Sequence, residues 1–172
     1  MTGTLTIRPE PPDQPEVLRL IEALDAQMTA LYPPESNHLL DIAALSDPAV
    51  TFLVVRDADE VVGCGALLRD PRGWGEVKRM VVRPDRRGRG IGRRVLAELE
   101  AIARAARLPL LRLETGVHNA DALALYRRAG FVECEAFGDY KPDRQGTGPD
   151  LFTLRHASPR EFAKKGRVKR SQ

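Results

Sequence analysis

Residues 80–94 read Met-Val-Val-Arg-Pro-Asp-Arg-Arg-Gly-Arg-Gly-Ile-Gly-Arg-Arg: the end of an apolar strand, an Arg-rich turn, three glycines at alternate positions and the first turn of a helix. Glycine lets backbone approach a ligand with no Cβ between them. A helix's first turn offers amide N–H groups that lack intrahelical acceptors, together with the positive end of the peptide dipole. Such a construction suits a phosphate or pyrophosphate. Within residues 78–94 eight residues are basic and one, Asp85, is acidic, so the local field also attracts an anion.

Two common phosphate loops fail on spacing. The Walker pattern ends Gly-Lys-Ser/Thr, whereas Gly92 is followed by Arg93 and Arg94. The dinucleotide pattern G-x-G-x-x-G lands on Arg93 when started from Gly88 and on Val95 when started from Gly90. A different anionic cofactor is required.

The elements that position this segment follow from hydrophobic period. Residues 4–8 alternate as a strand, Pro9 to Pro15 interrupt, and Val17, Ile21, Leu24, Met28 and Leu31 then recur at helical spacing. Tyr32-Pro33-Pro34 stops that helix, and Ser36 is placed to cap a second, short one through Leu39, Leu40, Ile42 and Leu45. Runs 50–56 and 61–69 around an acidic turn read as a β-hairpin, which 75–83 extends. Ile91, Val95, Leu99, Ile102 and Ala106 mark a long helix closed by Pro109. A strand at 110–115, a helix at 120–130 ending on a glycine, and strands at 131–137 and 151–155 complete the order β-α-α-β-β-β-α-β-α-β-β. The expectation is one α/β domain over residues 1–155 around a mixed sheet, with a basic tail at 156–172.

Of the 172 residues, 42% are hydrophobic and 30% charged, a soluble globular composition with enough apolar material for a substantial core. No run approaches the ~18 apolar residues of a membrane span, and the first residues lack the pattern of a secretory signal, so a cytoplasmic protein is expected. Cys64 and Cys134 stand apart, without a second Cys or a His at ligand spacing; they read as structural thiols, and no metal site is expected. The net charge of +3 is concentrated in the tail, which carries +5, while residues 1–155 carry −2. With Phe162 the single Phe, Trp or Tyr in that tail to stack on bases, nucleic-acid binding is the least favoured function.

Arg87-x-x-Gly90-x-Gly92 after the strand Met80-Val81-Val82 resembles the acyl-CoA motif of the Gcn5-related N-acetyltransferases, the GNAT superfamily. Asn119, Ala122, Leu125, Tyr126 and the pair Gly130-Phe131 follow one strand and one helix later, as in that family, and the resemblance covers residues 50–137. It implies a GNAT-like fold: a mostly antiparallel sheet of six to seven strands with about four helices. The strands at 75–83 and 110–115 are then expected to splay apart and form the acyl slot. It implies acetyl-CoA as cofactor, its pantetheine arm aligned by Met80, Val81 and Val82. The pyrophosphate would be held at Arg87, Gly88, Arg89, Gly90, Ile91, Gly92 and Arg93, with Asn119 near the pantetheine and Tyr126 near the sulfur.

Aminolysis of a thioester needs a neutral amine, donors for the developing oxyanion and a proton for the departing thiolate. Tyr126, whose phenol is ordinarily protonated at neutral pH, is the acid by resemblance; by periodicity alone it reads equally as a packed aromatic. Glu76 leads for removing the amine proton and Glu114 is second, although Glu76 with Lys78 also reads as a charge pair on one strand face. Backbone N–H groups around Met80 to Val82 are expected to serve the oxyanion. Tyr32, Glu35, Ser36, Asn37 and His38 lie where the family places acceptor-binding elements, though Ser36 also reads as a helix cap and His38 as a packed or surface histidine. No Ser-His-Asp or Cys-His order suggests an acyl-enzyme. The expected function is therefore acetyl transfer to a primary amine, of a small molecule or peptide, by direct attack in a ternary complex. A CoA-binding regulatory domain of the same fold is the alternative, and homodimers are common in the family.

Overall fold

The computed structural model describes residues 4–31, 40–135, 137 and 151–157. The elements in chain order are β1 (Leu5–Pro9), α1 (Pro15–Leu31), α2 (Ile42–Leu45), β2 (Val50–Asp57), β3 (Glu60–Arg69) and β4 (Gly75–Val82). A 3-10 turn (Pro84–Arg86) follows, then α3 (Ile91–Ala105), β5 (Leu110–Gly116), α4 (Ala120–Arg128), β6 (Val132–Glu133) and β7 (Leu151–Ala157). The strands form one sheet in the order β1-β2-β3-β4-β5-β7-β6, antiparallel throughout except for the parallel pair β4/β5. No helix among the described residues is long and apolar enough to cross a membrane.

Both faces of the sheet are covered, which is why β2 and β3 read as continuous apolar runs rather than as alternating ones. Leu53, Val55, Val62, Leu67, Val77, Leu111 and Leu113 bury themselves against Val95, Leu96 and Leu99 of α3 and Leu123 and Tyr126 of α4. Phe52, Val54, Val61, Cys64 and Ala66 face the other way, against Val17, Leu20 and Ile21 of α1 and Leu45 of α2. Each fully buried side chain of this kind is worth about 1.5–3 kcal/mol relative to exposure.

Three expectations are corrected. Asp41, not Ser36, caps α2: its carboxylate accepts from the Ala44 amide at 2.8 Å, and the helix begins at Ile42. Ser36 itself, with Tyr32, Glu35, Asn37 and His38, lies outside the described residues. Of the strand expected over 131–137, the residues paired among those described are Val132 and Glu133, with Arg155 and Leu154 of β7. The boundary at 155 falls inside β7, whose ladder with β5 continues to Leu110↔Ala157 and places His156 Nδ1 3.2 Å from Glu100 Oε1 of α3.

Candidate active site

β4 is where the site is made. It pairs with β5 only at Gly75↔Leu111, Glu76↔Arg112 and Val77↔Leu113, although it runs on to Val82. Beyond Val77 the two strands part, and the β5-facing edge of β4 has no ladder partner there among the described residues. An extended ligand can supply that missing strand through main-chain hydrogen bonds. On its other edge β4 accommodates an extra residue: Cys64 lies opposite Val81 and Ala66 opposite Lys78, with the irregularity at Arg79, whose φ is +53°. The bulge reverses the strand's faces. Before it Glu76 and Lys78 share the α1/α2 face with Ala66, whereas after it Met80 and Val82 pack on the α3/α4 side and Val81 on the other.

A groove of about 1090 Å³ opens at this parting. Met80, Val81 and Val82 line it from β4, and Arg87, Gly88, Gly90, Ile91, Gly92 and Arg93 from the turn and the start of α3. Asn119 and Tyr126 line it from the opposite side. Of the residues expected to hold a cofactor, only Arg89 is not on the groove wall; it is exposed. The local chemistry explains the arrangement. Gly90 sits in the left-handed region at φ +73° as the residue preceding α3, its carbonyl already bonded to the Arg94 amide at 3.1 Å. The amides of the first turn are left without intrahelical partners, and a Cβ at Gly88 or Gly90 would meet nothing within 4 Å, so the cradle faces open space. Arg87 is tied back to the strand by its Nε, which donates to the Val82 carbonyl at 3.0 Å. An extended ligand with a pyrophosphate fits these residues.

Asn119 has two tasks. Its Oδ1 accepts from the Ala122 amide at 3.3 Å and caps α4, and the residue also lines the groove. Tyr126 is buried within the α3/α4 core, and burial pushes its phenol above the ordinary value, so the hydroxyl is protonated and able to donate.

Glu76 and Glu114 are not on the groove wall. By register they share the α1/α2 face of the sheet, where Lys78 Nζ pairs with Glu76 Oε1 at 2.9 Å. Glu114 follows Leu113, the last residue of β5 paired with β4, and so stands where those two strands part. Its carboxyl is pushed up to about 8, chiefly by burial, with Glu76 adding to the rise and Lys78 opposing it.

Other groove residues were not anticipated. Leu24, Gln27, Met28 and Leu31 of α1 form one wall, and His118 and Glu100 contribute elsewhere. A signal for the first group was present: the apolar stripe of α1 continues past Ile21, yet Leu31 is 52% exposed and the core ends at Ile21. A stripe at helical spacing does not say whether its partner is core or ligand.

The profile of the Acetyltransferase (GNAT) family matches residues 17–131. An IAA acetyltransferase of Azospirillum brasilense is 53% identical over 140 residues, covering 81% of this chain and 92% of that protein. The N-alpha-acetyltransferase RimI of Mycobacterium tuberculosis is 34% identical over 117 residues, covering 66% of this chain and 70% of the relative. A solved structure of a candidate acyl-CoA N-acyltransferase from Klebsiella pneumoniae superposes with a TM-score of 0.75 at 36% identity, covering 90% of this chain and 97% of that one.

Proposed function

The chain belongs to the GNAT family of acetyltransferases and is an acetyl-CoA-dependent N-acetyltransferase, and from that premise we propose that it acetylates a primary amine of a small molecule by direct attack in a ternary complex. When bound, acetyl-CoA supplies an acyl carbon activated as a thioester. One observation carries the reading: the parting of β4 and β5 has the buried phenol of Tyr126 on its α3/α4 side and the half-buried carboxyl of Glu114 on its α1/α2 side. A donor and an acceptor can therefore approach the same opening from opposite faces.

The roles follow from chemistry and position. The amides at the start of α3, with Arg87 and Arg93, hold the pyrophosphate, and the free edge of β4 at 80–82 aligns the pantetheine. Glu114 takes the amine proton, because it stands just beyond the last β4/β5 pair, where the strands part, whereas Glu76 lies within the paired stretch beside the Lys78 ammonium. Glu76 and Lys78 then set the charge around Glu114. Tyr126 gives its proton to the departing sulfur. A covalent acyl-enzyme is disfavoured at Cys64: its thiol is fully buried, donates to the Arg79 carbonyl at 3.3 Å and is pushed up to about 12 by burial.

The test is thiol release from acetyl-CoA across a panel of primary amines, with IAA included because the Azospirillum relative's name carries it. Initial rates that intersect in double-reciprocal form support the ternary complex. Parallel lines, or release only with IAA and with no amine, overturn the proposal.

A further inference from the structure

Arg79 has so far served only as the bulge of β4, yet its side chain is built into the molecule in a way the strand ladder does not require. The guanidinium is 3% exposed, a burial that a charge tolerates only when it is paired and hydrogen-bonded. Its Nε donates to the Leu40 carbonyl at 3.0 Å, Nη2 donates to the same oxygen, and Nη1 pairs with the Asp25 carboxylate of α1. Its backbone is held at φ +53°, a conformation that costs free energy in a residue bearing a Cβ.

Asp25 stands between groove-lining Leu24 and Gln27, while Arg79 immediately precedes groove-lining Met80. The buried residues of α1 are Val17, Leu20 and Ile21, all in its N-terminal half; its later stripe faces the groove and has no core beneath it. The Arg79–Asp25 pair supplies an anchor in that unsupported half. We propose that Arg79 is a positioning residue for acetyl transfer: it ties α1 and the chain at Leu40 to the kink of β4 and so fixes the groove wall opposite residues 80–82. This rests on the groove being the donor site.

The experiment compares Asp25→Asn, Arg79→Lys and Arg79→Gln with the unaltered protein in steady-state kinetics and thermal melting. Asp25 is partly exposed, so its variant is the safeguard should the Arg79 variants fail to fold. Expected are a KM for acetyl-CoA raised about tenfold in Asp25→Asn and Arg79→Gln with a smaller change in kcat, partial recovery in Arg79→Lys, and no further loss when Asp25→Asn is added to Arg79→Gln. A lowered melting temperature with unchanged KM would make the contact purely structural and overturn the proposal. Hydrogen exchange on the unaltered protein tests the premise separately. Protection of the amides at 91–93 by CoA supports the groove reading, and its absence overturns both that reading and this inference. Protection accompanied by unaltered KM in the variants overturns this inference alone.

Discussion

The amide of Phe131 donates to the carbonyl of Tyr126 at 3.0 Å, and the two rings pack with centroids 5.8 Å apart and planes at 58°. With the Gly130 amide donating to Arg127 at 3.0 Å, these bonds end α4 in a Schellman cap, whose hydrophobic contact is the Tyr126–Phe131 pair itself. The device that stops the helix therefore also holds the ring of the proposed acid.

Gly130→Ala should disturb both. Gly130 has φ +92°, and an added Cβ would stand 3.3 Å from His156 Nε2. A loss of about 1–3 kcal/mol in denaturant unfolding is expected, with reduced kcat even where the protein remains folded. Unchanged stability would show that the cap carries no strain.

Tyr126→Phe retains the ring packing and removes the proton. Turnover should fall by about 10²- to 10⁴-fold, while acetyl-CoA binding measured by calorimetry stays within a factor of about 3. Turnover near the original level would exclude Tyr126 as the acid.

Glu114 gives a pH dependence of defined sign. With its folded-state value about 8, the base form is populated as pH rises through that point, so kcat/KM should climb there. Stability runs the other way. The ordinary value of 4.5 is raised on folding, so between 4.5 and about 8 the folded state keeps a proton that the unfolded state has lost. Stability from this group therefore falls as pH rises through the window. Glu114→Gln should abolish both the rate limb and the stability slope; persistence of both would assign them to another group.

Acetyl-CoA should raise thermal stability, by about 2.7 kcal/mol at ~100 times its dissociation constant, and by more than adenine nucleotides at matched concentration. Gly90→Ala should weaken that response, because φ +73° costs an L-residue about 1–2 kcal/mol and relaxation would turn the first amides of α3 away from the groove. An undiminished response would place the anion elsewhere.

Much of this was legible from residue order. The element order, the Gly-rich start of α3, the terminating Gly130 and the family itself rest on local signals: period, turn chemistry and a motif with a strand before it and a helix after it. Their physics acts within a few residues, so spacing carries it. The cap of the short helix α2 falls on Asp41 and not on Ser36 because both residue types are chemically competent and the choice depends on where the backbone turns. The strand expected at 131–137 has two paired residues among those described, because alternation describes a face and not a partner.

What residue order alone determined is the glycine-rich start of α3 and the helix-borne tyrosine, each built from neighbours in the chain. What only the tertiary structure decided is the opening between them. The early end of the β4/β5 ladder after Val77, the bulge at Arg79, the burial that lifts Glu114 and the Arg79–Asp25 tie all join residues distant in sequence. Pairing register and desolvation are properties of those long-range contacts, and no local pattern encodes them.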